Sequence, residues 1–229
     1  MTVDGAPIEF YEVPAAAQVR LHRAKAVPRG NLLVEYSARV ARPGDPMYHG
    51  EAEEILYLRP SRYCDSDRLA QVAFTHFKDF RGVELVAAIR EWVHTSITYT
   101  PGSSRVVDGA LDTYLSRRGV CRDMAHLVIT FCRAMNVPAR LVSVYAPGLQ
   151  PPDFHAVAEV WVDGAWHVID PTGLAPRQSM VRIATGRDAS DTAFLTVVDG
   201  RMILDRMGVQ ATIEGQLPID DGLAPVQLL

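Results

Sequence analysis

The sequence predicts an α+β fold, and three observations along its 229 residues lead to this prediction. Segments in which apolar and polar residues alternate occupy residues 8–58. A helical stripe begins at Cys121, and three strand-like segments follow it between residues 140 and 170. With 48% hydrophobic and 22% charged residues, the chain is able to bury one or two hydrophobic cores. We therefore predict a soluble protein with a small β-rich N-terminal domain at residues 1–62 and a second domain at residues 63–229.

The prediction of the first domain rests on alternation with the two-residue period of a β-strand. The alternation is clearest in Leu32–Val40 and in Glu54–Leu58, and the stretch Arg42–Pro46, which contains proline and glycine, separates the two. Proline and polar residues interrupt the pattern again at Arg59–Arg62, which places the domain boundary there.

The second domain is predicted to begin with helices and to end with strands. Val86, Ile89 and Val93 recur at intervals of three and four residues, which predicts a helix over residues 83–95. A second helix is predicted over residues 108–117, and residues 180–213 again have the pattern of a β-rich segment.

A third helix is predicted to begin at or just before Cys121. One face repeats at intervals of 4, 3, 4 and 3 residues and consists of Cys121, Ala125, Val128, Cys132 and Met135. The helix is predicted to end at residues 136–138, because asparagine tolerates a left-handed cap and proline cannot continue the ladder. Free N–H groups and the helix dipole favour a thiolate at the first turn of this helix. The same N–H groups are able to hold a developing oxyanion, and Gly119 leaves room there for a substrate carbonyl. The pattern alone fits a small buried cysteine about equally well.

A turn signal predicts that His155 meets Asp170. The Asp163-Gly164 pair marks a two-residue hairpin turn between two alternating segments, residues 155–162 and 165–170. In this register Val157 opposes Asp170, and His155 shares the face of Val157 and lies diagonal to the carboxylate. Diagonal neighbours lie about 7–8 Å apart at the backbone, which an imidazole and a carboxylate can bridge. The other histidines, His167 included, are interpreted as structural or surface residues.

Composition excludes several classes of partner. A net charge of −4 and a pI near 6.0 give no reason to expect nucleic acid or an anionic membrane. No apolar run reaches the length of a membrane span, and the start of the chain lacks the pattern of a signal peptide, so we expect a cytoplasmic protein. Three cysteines are an odd and small number for a disulfide framework, and they fit a reducing compartment.

A metal site is not predicted. Cys121, His126 and Cys132 are close in sequence, but on a helix Cys121 and His126 point about 140° apart, and Cys121 and Cys132 lie about 16 Å apart along the axis. No single zinc ion joins these three residues. Loops that bind phosphate are absent from the sequence as well, and we expect no cofactor.

The sequence as a whole resembles bacterial members of the transglutaminase-like superfamily, a branch of the papain-like cysteine enzymes. The intervals of 34 and 15 residues between Cys121, His155 and Asp170 suit that family. The segments that carry the resemblance are Leu58–Asp67, Ile97–Tyr99, Arg118–Leu127, Asn136–Arg140, Phe154–Ala156 and Asp170–Thr172.

The resemblance implies a papain-like core, in which a helix that carries the cysteine packs on an antiparallel sheet that carries the histidine and the aspartate. It implies a catalytic triad with Cys121 as the nucleophile, His155 as the base and then the acid, and Asp170 as the orienter of the imidazole. It also implies an oxyanion donor upstream of the cysteine. Tyr99 is the candidate for this donor, beside the backbone N–H of Cys121.

Four further residues are candidates for the wall of the cleft. Val157 stands where many relatives place an aromatic residue, and we expect this departure to alter the cleft wall rather than the chemistry. Arg187, Asp188 and Asp191 are candidates for the border of the cleft, and an exposed charged turn is an equally good interpretation of them.

The preferred hypothesis for function is acyl transfer or hydrolysis at a peptide or glutamine-type amide, through a thioester. The expected partner is therefore a peptide or protein amide; the sequence predicts no oligomeric state. Hydrolysis is favoured, although the fold itself does not choose among the reactions of the superfamily. A calcium loop is absent from the sequence, so no calcium requirement is expected. Two alternatives are a non-catalytic binding or scaffold module that uses the same groove, and a redox sensor at Cys121, which lacks a nearby resolving thiol.

Overall fold

The computed structural model describes residues 1–40, 50–222 and 224–228. The chain separates into two compact units, Met1–Met47 and Tyr48–Leu228. This division comes earlier in the chain than the predicted boundary at residues 59–62, and the separating stretch Arg42–Pro46 lies outside the described residues. The predicted strand Glu54–Leu58 is wrong, because residues 51–56 form a helix in the second unit. Alanine, glutamate and leucine favour helix there, and acidic residues in the first turn complement the helix dipole.

The first unit is built of short strands: β1 (Thr2–Val3), β2 (Ala6–Pro7), β3 (Phe10–Pro14), β4 (Arg20–Ala24) and β5 (Leu32–Leu33). β2, β1 and β5 form one antiparallel sheet in that order, and β3 and β4 form a separate antiparallel pair. A single turn of 3₁₀ helix at Ala16–Gln18 connects β3 to β4. The alternation in Leu32–Val40 forms a strand at its first two residues, and the described residues 34–40 carry none.

The second unit combines helices with a four-stranded sheet. Its helices are α1 (Glu51–Leu56), α2 (Ala70–Phe77), α3 (Gly82–Ser96), α4 (Ala110–Ser116) and α5 (Cys121–Ala134). Its strands are β6 (Thr98–Tyr99), β7 (Arg118–Gly119), β8 (Ala139–Tyr145), β9 (Phe154–Val162), β10 (Ala165–Ile169) and β11 (Val181–Gly186). The sheet has the order β10-β9-β8-β11 and is antiparallel throughout, whereas β6 and β7 form a short parallel pair.

The α+β prediction is confirmed, and most of the predicted elements of the second unit are present. The two earlier predicted helices correspond to α3 and α4, and α5 begins at Cys121. The three predicted strands correspond to β8, β9 and β10. The helix α2 was not predicted. The predicted β-rich C-terminal part is largely wrong, since the described residues after Gly186 contain no further strand.

Helix α5 is the centre of the main core. Every side chain from Asp123 to Arg133 is buried, because α2, α3 and α4 pack around the helix and the sheet covers it from the other side. Phe131 is fully buried among aromatic rings, with centroid distances of 5.4 Å to Phe77 and 5.3 Å to Trp92. This packing fixes the helix that begins with the cysteine.

Phe131→Ala is expected to lower the free energy of unfolding by about 3–5 kcal/mol, because it removes a ring and leaves a cavity in a close-packed core. Urea unfolding followed by circular dichroism measures the change. Phe74→Ala is the matched control, since Phe74 is 55% exposed on α2 and its loss is expected to cost less than about 1 kcal/mol. Equal losses in the two variants would contradict the assignment of Phe131 to the core.

The other face of the sheet carries a second hydrophobic cluster, which the C-terminal segment covers. Val142, Val157 and Val168 belong to this cluster, and Val226 and Leu228 pack against it. The backbone N–H of Val168 donates to the carbonyl oxygen of Val226 at 2.8 Å. The chain after β11 therefore passes back over the sheet instead of adding strands to it.

An ion pair also holds the C-terminal segment. The buried Arg177 side chain donates to both carboxylate oxygens of Asp220, from Nε at 2.9 Å and from Nη2 at 2.8 Å. These bonds lower the pKa of Asp220 against the opposing effect of partial burial. Nη1 of Arg177 donates to the carbonyl oxygen of Val168, so the same side chain also contacts the end of β10.

Candidate active site

Cys121 is the first residue of α5 and is partly exposed. The chain reaches it through the extended residue Val120 and the short strand β7. Cys64 and Cys132 are both free and fully buried, and burial raises the pKa of each thiol to about 12. Cys121 is therefore the thiol that a reagent or a substrate reaches.

The hairpin that carries the histidine and the aspartate has the predicted register. Val162 pairs with Ala165, and Ala158 pairs with Ile169, one residue before Asp170. The turn residues Asp163 and Gly164 have φ angles of 52° and 77°, as a tight turn of this type requires. Nε2 of His155 lies 2.8 Å from Oδ2 of Asp170, and both side chains are buried. The predicted contact between the two residues is therefore present.

The second oxygen of Asp170 is also occupied. Oδ1 accepts hydrogen bonds from the backbone N–H of Thr172 at 2.8 Å and from its hydroxyl at 2.7 Å. Burial tends to raise the pKa of the Asp170 carboxyl, but the charge and hydrogen bond of His155, together with Thr172, hold the pKa below its usual value. Asp170 is therefore ionised and fixed in orientation.

His155 is charged at neutral pH. Burial tends to lower the pKa of the imidazole, but the charge of Asp170, its hydrogen bond and the interaction with Cys121 raise the pKa of His155 to about 10. The second ring nitrogen, Nδ1, is buried and has no fully formed hydrogen bond within the described residues. The ring thus contacts the carboxylate through Nε2, which leaves Nδ1 available to the thiol of Cys121.

Tyr99 lies beside the nucleophile. Strand β6 runs parallel to β7, so that Tyr99 pairs with Gly119, and the N–H of Thr100 donates to the carbonyl oxygen of Gly119 at 2.8 Å. Burial and the charge of Cys121 raise the pKa of Tyr99, while a hydrogen bond with the backbone of Cys121 opposes the rise. The tyrosine hydroxyl is therefore protonated and lies next to the first N–H of α5.

Val157 does not line the cleft, so this prediction is wrong. Its side chain is fully buried in the second hydrophobic cluster, among Val142, Val144 and Val168. Val157 lies in the middle of the sheet, and its face is covered by the C-terminal segment. A side chain in this position packs against the core and contacts no solvent.

Arg187, Asp188 and Asp191 do not border the cleft either. They form the turn after β11, in which Nε of Arg187 lies 2.8 Å from Oδ2 of Asp191. Asp188 is fully buried and accepts a hydrogen bond from the N–H of Tyr63 at 3.0 Å. Its interactions with that residue and with Ser190 lower its pKa to about 2, although burial tends to raise it.

The position of this turn in the sheet explains why Arg187, Asp188 and Asp191 lie apart from His155. Gly186, the last residue of β11, pairs with Leu141, whereas His155 pairs with Val144 further along β8. Three residues of strand separate the two pairs by about 10 Å.

The structure also shows what His126, one of the three residues of the zinc alternative, contacts instead of a metal. Its Nε2 accepts a hydrogen bond from the N–H of Ala189 at 3.1 Å, and its ring stacks on Tyr63. Burial lowers the pKa of His126 to about 3, so the ring is neutral and holds the turn after β11. Within the described residues, no group of three or more metal-binding side chains converges on a point.

Sequence reasoning missed two polar residues that hold the site. Thr172 fixes the free oxygen of Asp170, and Asp123, the third residue of α5, accepts a hydrogen bond from the N–H of Val120 at 2.9 Å. The signal for Asp123 was present, because an acidic residue three positions after a helix cap is typical of a capping box. The nonpolar cap residue, Val120, obscured it.

Comparison with known proteins gives a family. The sequence matches the model of the transglutaminase-like superfamily over residues 73–171, a range that contains Cys121, His155 and Asp170. The crystal structure of a candidate cysteine protease from Cytophaga hutchinsonii is similar to 82% of the chain, with a TM-score of 0.69 and 37% sequence identity. The similar region makes up 69% of that protein.

Curated relatives are found in mycobacteria. An uncharacterized protein of Mycobacterium leprae is 31% identical over 162 residues, which are 65% of this chain and 57% of the relative. An uncharacterized protein of Mycobacterium bovis is 32% identical over 167 residues, which are 66% of this chain and 52% of the relative. The chain thus spans just over half the length of these relatives.

The fold and the site together define a transglutaminase-like protein with a cysteine at the start of a central helix. The chain belongs to the transglutaminase-like superfamily, within its bacterial branch, as the resemblance predicted. In the described part of the chain, none of the helices has the length and apolar character needed to cross a bilayer.

Proposed function

We propose that the protein transfers acyl groups from peptide or glutamine-type amides to water or to an amine, through a thioester on Cys121. The observation that carries this proposal is the buried contact of 2.8 Å between His155 and Asp170, beside the partly exposed thiol. A histidine with only a structural role has no need of a charged carboxylate on one nitrogen and a reachable thiol near the other.

In the proposed first step, the thiolate of Cys121 attacks the carbonyl carbon of the amide. Negative charge moves to the carbonyl oxygen, for which the N–H of Cys121 and the hydroxyl of Tyr99 are the proposed donors. The C–N bond then breaks, and the imidazolium of His155 gives its proton to the leaving amine. The acyl group remains bound to sulfur as a thioester.

In the proposed second step, water or an amine attacks the thioester carbonyl. The neutral imidazole of His155 takes a proton from the attacking group, and the C–S bond breaks to restore the thiolate. Asp170 stays ionised and holds the Nε2–H of the ring throughout. Hydrolysis is the favoured outcome, because the Cytophaga relative is described as a candidate cysteine protease.

Acylation by p-nitrophenyl acetate tests this proposal. The ester is expected to release p-nitrophenolate in a burst and to add one acetyl group to Cys121, as measured by absorbance and by mass spectrometry of digested protein. Cys121→Ser is expected to abolish both signals. Cys132→Ser is the matched control, because that thiol is fully buried on the same helix and its loss is expected to leave both signals in place.

A glutamine-containing peptide then separates the two outcomes of the second step. Ammonia release without label from an added fluorescent amine indicates hydrolysis, and incorporation of the amine indicates transfer. A folded wild-type protein that shows no acylation at Cys121 would overturn the proposal and favour a non-catalytic binding module that uses the same groove.

A further inference from the structure

The carboxylate of Asp123 contacts both segments that form the site. Asp123 is 2% exposed, and its Oδ2 accepts the N–H of Val120, the residue before the nucleophile, at 2.9 Å. Its Oδ1 accepts the hydroxyl of Ser104 at 2.8 Å, in the loop that follows the strand of Tyr99. One buried side chain therefore joins the turn before Cys121 to the segment that carries the proposed oxyanion donor.

Close packing at Gly119 makes this connection tight. A Cβ atom at Gly119 would lie 2.7 Å from the Cβ of Asp123, which is closer than carbon atoms approach. Gly119 also pairs with Tyr99 in the β6–β7 ladder. The glycine expected to leave room for a substrate thus leaves room for Asp123, and the contacts run without a gap from Tyr99 to the start of α5.

Arg122 strengthens the same connection. Its Nη2 lies 3.3 Å from Oδ1 of Asp123 and donates to the carbonyl oxygen of Arg105 at 2.7 Å, and also donates to the hydroxyl oxygen of Ser104. The hydroxyl of Ser104 therefore both donates to the carboxylate and accepts from the guanidinium. These bonds hold residues 104–105 against the first turn of α5.

Activation of the thiol does not explain an acid at this position. A carboxylate two residues from Cys121 repels a thiolate, because like charges disfavour one another at short range. The benefit of Asp123 must therefore lie in the arrangement of the backbone rather than in the charge of the sulfur.

We propose that Asp123 is a positioning residue that sets the placement of the Cys121 N–H relative to the Tyr99 hydroxyl. The inference rests on the proposed acyl-transfer function and adds to it a residue that acts on oxyanion binding. It distinguishes Asp123 from Asp170, which acts on the histidine.

Two reagents separate oxyanion binding from thiol reactivity. Attack on p-nitrophenyl acetate places negative charge on the carbonyl oxygen, whereas alkylation by iodoacetamide displaces iodide from a saturated carbon and forms no oxyanion. Asp123→Asn is expected to slow acylation about tenfold or more, since small displacements of catalytic groups have effects of this size. Alkylation of Cys121 is expected to stay within about threefold of the wild-type rate.

Asp112→Asn is the matched control. Asp112 is the third residue of α4, and its carboxylate accepts the N–H of the cap residue Gly109 at 2.9 Å in the same arrangement. That helix carries no nucleophile, so both rates are expected to match those of the wild type.

The outcomes of this experiment are distinct. A selective loss of acylation in Asp123→Asn supports the proposal, and parallel losses of both rates, or no loss, overturn it. If Asp123→Asn does not fold, Ser104→Ala is tested in its place. A selective loss of acylation in this variant supports the proposal, and a ratio of acylation rate to alkylation rate equal to that of the wild type overturns it. Absence of acylation in the wild type, by contrast, overturns the proposed function itself.

Discussion

Asp170→Asn is expected to slow acylation of Cys121 by about 10⁴-fold, the loss found when the orienting carboxylate of a Ser-His-Asp triad becomes an amide. In the structure, one oxygen of Asp170 accepts two bonds from Thr172 and the other meets Nε2 of His155. The carbonyl oxygen of an asparagine keeps the bonds from Thr172, so its NH₂ group faces the ring. The ring proton then moves to Nδ1, the nitrogen that has to accept a proton during the reaction.

Single-turnover release of p-nitrophenolate measures this effect. Asp163→Asn is the control for the same chemical change on the same hairpin, because Asp163 has a φ angle of 52° that asparagine tolerates equally well. Its rate is expected to match that of the wild type. An Asp170→Asn protein that folds normally and acylates within about tenfold of the wild type would argue against the orienter role.

Local chemistry explains why part of the site was predictable from sequence. The Asp163-Gly164 turn fixes which residues of β9 and β10 face each other, so the contact between His155 and Asp170 follows from a two-residue signal. The start of α5 at Cys121 followed from helical periodicity, and its end followed from the cap after Ala134, where Asn136 has a φ angle of 59°. Both features depend on neighbours in sequence.

The position of Val157 was not predictable because it depends on a distant segment. Alternation identifies the two faces of β9, but it does not say what covers each face. Val226 and Leu228, which lie about 70 residues further along the chain, pack on the face of Val157 and keep it from the cleft. The strand pattern predicted over residues 180–213 is present in β11, and the described residues 187–213 form no further strand.

The turn at Arg187–Asp191 shows the same limitation for charged residues. A cluster of charges in sequence suggested an exposed turn or a cleft border, yet Asp188 is fully buried. Its burial depends on hydrogen bonds from Tyr63 and Ser190 and on the nearby His126. Tyr63 is more than a hundred residues away in sequence, and no local pattern marks it as the partner of Asp188.

His155→Ala is expected to slow alkylation of Cys121 by iodoacetamide about 10²-fold at about pH 6. Burial opposes a charge on His155, but the charge of Asp170, its hydrogen bond and the interaction with Cys121 raise its pKa to about 10. The ring is therefore an imidazolium at this pH and stabilises a thiolate beside it. A thiol without such a neighbour is only about 0.3% ionised under these conditions, given the ordinary pKa of about 8.5.

The pH dependence of the alkylation rates distinguishes the effect of the imidazolium from other causes of the difference between wild type and His155→Ala. In the variant, the thiolate fraction rises about tenfold for each pH unit, so its rate approaches that of the wild type near pH 9. In the wild type, the imidazolium that stabilises the thiolate persists until the pH rises through about 10. The advantage over the variant is therefore large near pH 6 and shrinks as the thiol of the variant ionises. His76→Ala, on the surface of α2, is expected to leave the whole profile unchanged. Wild-type labelling at about pH 6 that is no faster than in folded His155→Ala would show that imidazole and sulfur do not act as a pair.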